Sequence, residues 1–529
     1  MSSSAVSMAV LPTEGSSAST ACFSNAWEQF EALVTWAEGS EGTLSEVEQG
    51  VEQRGRQVLR AVVQGHLDLR AAREERKPGV EGADEVVRTH RRGGEARTLG
   101  TLFGEVQATR VRYETKQKSA TSLCPLDGEL NLPAQKYSHQ VVKRLAHSAP
   151  MGSFESTLET LEQTSGISVP KRQVEQLVQR SAVDFAGFYA QRPVERIRDT
   201  WTGATITVLT TDAKGIHVYP EDLREETRRK LKKELGDGLY FRKRMAQVAS
   251  VYHVEPYQRT AASIVCALMG SPARVASPKP NRPKPKDKRV WASIVDDCEE
   301  VIDSIFDEAL RRDPELRTTW VAVVDGAEHQ LEVLRDAARA RGIELIVICD
   351  IIHVLGYLWD AAKALVGDPR RQRQWVDKRL RRLLRGEVSQ VAAGIRRAKT
   401  MRRRRLKKAQ RALLDTCADY LLNHKHYLRY DQYIAAGFPV SSGVIEGTVR
   451  HLVNDRMAIT GAHWRLRSAE AVLRLRALRC SGDFEAYWAF HERCELQRNH
   501  LSKYAGEKLP PTSSSAENQA RRPSLRLVS

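Results

Sequence analysis

No window of the 529-residue chain comes near the about eighteen consecutive apolar residues that a membrane-spanning helix needs. A helical membrane span is excluded on that ground. The first residues, M-S-S-S-A-V-S-M-A-V-L-P, place no basic stretch ahead of their short apolar patch, so no secretory leader is expected. Paired cysteines are missing as well. The 8 cysteines (Cys22, Cys124, Cys266, Cys298, Cys349, Cys417, Cys480 and Cys494) lie far apart and form no C-x-x-C pair. That argues against a disulfide framework and a zinc knuckle, and fits free thiols in a reducing cytoplasm. Acidic residues are in deficit: 66 Asp and Glu stand against 83 Lys and Arg, a formal charge of +17. Such an excess is the footprint of a polyanion partner, most often nucleic acid.

The hydrophobic share of 41% and charged share of 28% are those of a folded, soluble chain. Its length allows about two to four domains. Much of the positive charge lies in two neighbouring runs, R-R-Q-R-Q-W-V-D-K-R-L-R-R-L-L-R (370–385) and R-R-A-K-T-M-R-R-R-R-L-K-K (396–408). Leu, Val and Ala interleave with the charges, so both read as basic faces of folded helices. Arg402, Arg403 and Arg404 are candidates for a DNA backbone.

Residues 1–24 and 506–529, rich in Ser, Ala and Pro, are expected to be disordered. Region 25–135 combines apolar residues at helical spacing with a β-ribbon, read from the alternation in 97–114. In 136–198 a short helix, the glycine turn S-G-I-S (165–168) and a basic helix follow one another. That order suits a helix-turn-helix presenting Lys171, Arg172 and Gln173 to a groove, and it also suits an ordinary helical hairpin.

From 199 the chain becomes α/β. Strands are expected at A-T-I-T-V-L-T-T-D (204–212) and M-A-Q-V-A-S-V-Y-H-V (245–254), with A-A-S-I-V-C-A-L (261–268) a candidate third. A Pro/Lys-rich stretch (271–289) reads as a mobile linker, and a helix is expected from Val290. Strands then run to Asp325 and to Asp350, joined by a crossover helix, and the helix from His353 stops near Gly367 and Pro369. Residues 366–435 are helical and basic, and 436–505 hold the last helices. Strands alternating with helices indicate a sheet with helical cover.

Three acids stand out. Asp212 and Asp325 each close an apolar strand ahead of a glycine-containing turn, and Glu446 opens a helix after S-S-G. Taken singly, each is a good helix cap. Brought together by a fold, their mutual repulsion requires a cation, and hard oxygen ligands favour Mg2+ or Mn2+. A pair of such ions would serve phosphoryl transfer on nucleic acid, which suits the charge.

The blocks T-T-D-A-K-G, V-V-D-G-A-E-H-Q, I-C-D-I-I-H-V-L-G-Y-L-W-D-A-A and S-S-G-V-I-E-G-T-V-R-H-L-V-N-D-R-M resemble those of DDE transposases of bacterial insertion sequences, nearest to the ISKra group and similar to the Mutator-like class. The likeness covers about 200–490 well and the ribbon and helix-turn-helix region more loosely. It implies an α/β, ribonuclease-H-like catalytic core in 199–365 and 436–505, with sheet order 3-2-1-4-5 and the all-helical insertion at 366–435. It also implies Asp212, Asp325 and Glu446 as catalytic and metal-binding residues holding two Mg2+ or Mn2+ ions, with Asp350 and His353 in support. Its partners would be double-stranded DNA, as terminal inverted repeats and target, and further copies of the chain, at least a dimer; its place would be the bacterial cytoplasm, on the nucleoid when bound.

Arg450 and Asn454 follow Glu446 by four and eight residues, share its face on a regular helix, and are candidates for phosphate contact along with Lys214. Two departures are visible. Only Cys124 remains where relatives often carry a cysteine pair, which puts zinc there in doubt, and T-D-A-K-G stands for the commoner D-G-K-G. Competing readings are a structure-specific nuclease on the same fold and a DNA-binding regulator, or domesticated derivative, without chemistry.

Overall fold

The computed structural model describes residues 17–117, 119–192, 201, 204–236, 242–270, 282–459 and 461–512. The chain divides into two compact units, 1–184 with 485–529, and 185–484. No described helix is long and apolar enough to cross a membrane.

The first unit opens with a helical hairpin, α1 (Ser24–Glu38) and α2 (Leu44–Ala72). Thr43 and Glu46 start α2 with reciprocal capping bonds. Gly50 lets the helices meet, since a Cβ there would lie 2.0 Å from the Trp36 ring. Helix already forms at Ser17–Cys22, inside the stretch expected to be disordered. The ribbon is antiparallel, β1 (His90–Thr101) with β2 (Gly104–Glu114), and starts earlier than the alternation suggested. Its Leu99, Val106 and Ala108 pack on Leu67 of α2.

Three short helices follow: α3 (His139–Ser148), α4 (Phe154–Ser165) and α5 (Lys171–Arg180). Gly166 ends α4 in the left-handed region at φ +67°, the conformation a tight helix exit requires. Val174, Leu177 and Val178 bury one side of α5, while Lys171, Arg172 and Gln173 remain exposed on its first turn. The helix beginning at Phe484 returns to this unit, where the Tyr487 hydroxyl donates to the Ser181 carbonyl at 2.6 Å. Residues from Glu485 therefore group here and not with the α/β part, where the expected 436–505 segment placed them.

The second unit is mixed α/β. Its strands are β3 (Ile206–Val218), β4 (Arg242–Val254), β5 (Lys286–Ser293), β6 (Thr319–Val324) and β7 (Leu345–Cys349), in the order β5-β4-β3-β6-β7. The first three pair antiparallel, while β3, β6 and β7 run parallel. Ile206 to Thr211 are buried without a break, as a strand covered on both faces must be.

Two expectations fail here. Residues Ala261–Met269 form helix α6, capped by Thr260 and Ser263, and are not a strand. The third strand is β5, taken from sequence expected to be linker and helix; V-W-A-S-I is a short buried β run that periodicity alone does not separate from helix. The stretch 271–281, most of the expected linker, lies outside the described residues.

Helices α7 (Cys298–Arg312), α8 (Glu328–Ala340) and α9 (Ile351–Leu365) connect and cover the later strands. Beyond them α10 (Pro369–Leu383), α11 (Val388–Met401) and α12 (Lys408–Asn423) build the helical insertion. One hydrophobic cluster runs from Val208, Val321 and Ile348 of the sheet through Val354 and Leu358 of α9 to Leu380, Val391, Leu414 and Leu421. Each such buried side chain contributes about 1.5–3 kcal/mol, so the insertion is fastened to the sheet and does not hang from it. The chain then gives the short α13 (Gly443–Thr448) and, after a π-helical segment at Val449–Asn454, α14 (Leu466–Ser481).

Candidate active site at the ends of the parallel strands

The register of the sheet decides where the acids stand. β3 pairs with β6 from Ile206 opposite Thr319 to Thr210 opposite Val323. Continued two residues beyond its last pair, the same register would bring Asp212 opposite Asp325, the residue that follows β6. β6 pairs with β7 up to Val324 opposite Cys349, and one more step sets Asp325 level with Asp350. On that extension Asp212, Asp325 and Asp350 would fall level with one another across three neighbouring strands, which in a sheet lie about 4.8 Å apart.

Their surroundings differ. Asp212 is partly buried, and its Oδ1 accepts from the Ala213 backbone N–H at 2.6 Å. Burial pushes its carboxyl above the ordinary range, and the Asp325 charge adds to the push; the Ala213 N–H, His353 and Lys214 hold it back. Asp325 turns the chain, its Oδ1 accepting from the Ala327 N–H at 3.0 Å. Asp350 is buried and caps α9, accepting from the Ile352 N–H at 2.9 Å and from the Ser442 hydroxyl.

Ser442 is the residue from which α13 departs, so Asp350 pins the helix that carries Glu446. Glu446 is itself exposed on the surface of that helix. Partial desolvation of its carboxyl group, followed by the charges of Asp350 and Asp212, raises it above its ordinary value, and His353 opposes them. Asp212 thus feels the charge of Asp325, and Glu446 those of Asp350 and Asp212, with His353 opposing both. His353 itself is exposed and sits edge-on to Tyr357, with 5.6 Å between ring centres.

Donor chemistry fits a hard divalent cation: carboxylates that repel one another at a sheet edge are stabilised by one. Among the described residues, however, no three His, Cys, Asp or Glu groups stand close enough, as arranged, to hold an ion together.

The remaining candidates fall in several places. Lys214 lies on β3 beyond Asp212 and is partly buried. Arg402, Arg403 and Arg404 are exposed, but they occupy the turn between α11 and α12 and not a helix face, because α11 ends at Met401. Arg402 donates to the Leu365 carbonyl at 2.8 Å. Arg450 and Asn454 fall in the π-helical segment, where the four-residue phase that aligned them with Glu446 does not apply. Arg450 is exposed and lies 4.0 Å from Asp455. On α5, Lys171 is paired with Glu155, whereas Arg172 and Gln173 show no such pair among the described contacts.

Residues that the sequence did not single out also shape the site. Gln330 is buried, and its Nε2 reaches the Thr211 carbonyl at 3.4 Å, joining α8 to the strand just before Asp212. The Tyr420 hydroxyl donates to the Asp325 carbonyl at 2.7 Å. The Tyr430 hydroxyl donates to the Cys349 carbonyl at 2.8 Å. Gln330 and Ser442 sit inside the quoted blocks, whereas the tyrosines come from the insertion, where nothing in the local sequence marks them. Compared with known proteins, the chain matches no family model and no curated protein sequence.

Proposed function

We propose that the chain is a DNA transposase of the DDE kind, of the sort its sequence blocks resemble in bacterial insertion sequences of the ISKra group. The observation that carries this reading is the parallel register of β3 and β6, which, extended two residues past its last pair, brings Asp212 level with Asp325. The strand order β5-β4-β3-β6-β7 is 3-2-1-4-5 in sheet numbering, the order of a ribonuclease-H-like core, and supports the same reading.

Asp212, Asp325 and Glu446 would hold one or two Mg2+ or Mn2+ ions. When bound, such ions supply the charge that activates a water or a 3′-hydroxyl and stabilises the leaving oxygen of a phosphodiester. The chain's own groups orient this site. Asp350 and Ser442 fix the Glu446 helix, Gln330 braces β3 next to Asp212, and the Asp325 turn sets the middle acid. The exposed first turn of α5 and the Arg402–Arg404 turn are basic surfaces suited to double-stranded DNA. Two element ends must be brought together for strand transfer, so the working form is at least a dimer, acting in the bacterial cytoplasm.

The test is Asp325→Ala with DNA taken from the genomic flanks of the gene. The expected result is loss of Mn2+-dependent strand cleavage with binding of the terminal repeats retained. Cleavage at the wild-type rate would overturn the reading. Wild-type protein that binds these repeats yet never cleaves would favour the regulator instead.

A further inference from the structure

The insertion touches the sheet edge at one place where its chemistry matters. Tyr420, on α12, is almost wholly buried and donates its hydroxyl to the main-chain carbonyl of Asp325 at 2.7 Å. The next residue, Gly326, has φ +90°, and a Cβ added to it would lie 2.7 Å from that same hydroxyl and 3.0 Å from the Cys349 sulfur. The turn has thus been shaped around the tyrosine. The ring is itself held, packed 4.4 Å from Tyr357 of α9 and stacked 4.3 Å from His424. Tyr430 makes a second clasp, on the Cys349 carbonyl at the end of β7.

A carbonyl fixed by a hydrogen bond fixes its peptide plane, and with it the direction in which the preceding side chain leaves the backbone. We propose that Tyr420 is a positioning residue for Asp325, through which the helical insertion sets the aim of the middle carboxylate. The inference rests on the metal-dependent reading above. It assigns the insertion a part in building the site in addition to any contact with DNA. α12 begins beside the Arg402–Arg404 turn, so one helix joins an exposed basic surface to the Asp325 turn.

The experiment is a Mn2+ titration of the full-length protein, free of DNA, comparing wild type with Tyr420→Phe, Tyr430→Phe and Asp325→Ala. Phenylalanine keeps the ring and its packing while removing the hydroxyl. Loss of a partner that orients a metal ligand weakens affinity about 10- to 100-fold, and that is the expected result for Tyr420→Phe, with a much smaller change for Tyr430→Phe. Unchanged Mn2+ affinity in Tyr420→Phe, alongside lost binding in Asp325→Ala, would overturn the inference and leave the metal site standing. An equal loss in Tyr430→Phe would show general loosening and would also overturn it. Full Mn2+ binding by Asp325→Ala would remove the metal-site reading, and the inference with it.

Discussion

The Ser442 hydroxyl donates to Asp350, and this bond fastens the start of the Glu446 helix to the end of β7. A backbone bond from the Ile351 N–H to the Val440 carbonyl at 3.0 Å runs beside it. Burial raises the Asp350 carboxyl above its ordinary value, and the Ser442 donation is the largest influence holding it down. Ser442→Ala leaves a buried carboxylate one donor short, which costs about 1–3 kcal/mol. Urea denaturation should show the loss, and cleavage should fall because Glu446 is no longer held. A denaturation midpoint equal to that of wild type would show that the bond does not anchor this segment.

Gly326→Ala is a sharper probe of the Asp325 turn. The backbone sits at φ +90°, and the added methyl meets the Tyr420 hydroxyl and the Cys349 sulfur. Strained backbone of this kind costs about 1–3 kcal/mol before the clash is counted. The variant should melt below wild type and bind Mn2+ poorly. Serine, carrying the same Cβ, should behave like alanine. If either variant kept full stability, the turn would have to be far softer than its contacts imply.

The site should also cost the protein stability in the absence of metal. Asp212 has its carboxyl raised in the folded state from an ordinary 3.8, first by burial and then by the Asp325 charge. A raised carboxyl holds its proton more tightly when folded. Its stabilising contribution is full below 3.8 and is lost as pH rises through the folded value. At neutral pH the charged residue is therefore a burden. Asp212→Asn should raise the melting temperature of metal-free protein at pH 7, and the gain should vanish below about pH 4. On the proposed metal-dependent function, Mn2+ should stabilise wild type against heat and the same variant should lose that effect. Calorimetry with and without the ion reads both effects; a lower melting temperature at pH 7 contradicts the account.

Asp325 was legible as the residue that follows the apolar run of β6, whereas the strand expected to end at Asp212 continues to Val218, carried past the acid by its antiparallel pairing with β4. Helical elements such as α9 to α12 were legible from apolar spacing. β5 was not, since V-W-A-S-I is too short for periodicity to separate strand from helix, and α6 was missed for the same reason. Tyr420 and Tyr430 could not have been found locally. Their role exists only because the insertion packs back onto the sheet, and side-chain to backbone bonds across 95 and 81 residues leave no pattern in sequence. The π-helical segment after Glu446 was hidden too, and it undid the alignment of Arg450 and Asn454.

A buried ionic cluster joins β5 to α7, with Arg289 on the strand and Glu308 on the helix. Glu308 is fully buried and accepts from Arg289, from Arg311 at 2.7 Å and from Arg312 at 2.6 Å, while Arg289 also stacks 3.5 Å over Tyr189. Burial on its own would raise the Glu308 carboxyl, but Arg289, Arg312 and Arg311 outweigh it and hold the group at about 2. The sign is opposite to that at Asp212. Unfolded, the carboxyl has its ordinary 4.5, so its contribution is complete above that pH and is lost as pH falls toward about 2. Glu308→Gln removes the one acid among three guanidinium groups. Breaking a buried pair by deleting one partner costs about 3–5 kcal/mol, so the variant should be strongly destabilised at pH 7. Its stability should also fall less steeply than that of wild type on acidification, because the proton that wild type must take up at Glu308 has no site in glutamine. Denaturation curves across the acid range measure both slopes. Parallel slopes would mean that the arginines are satisfied elsewhere and that Glu308 does not hold β5 to α7.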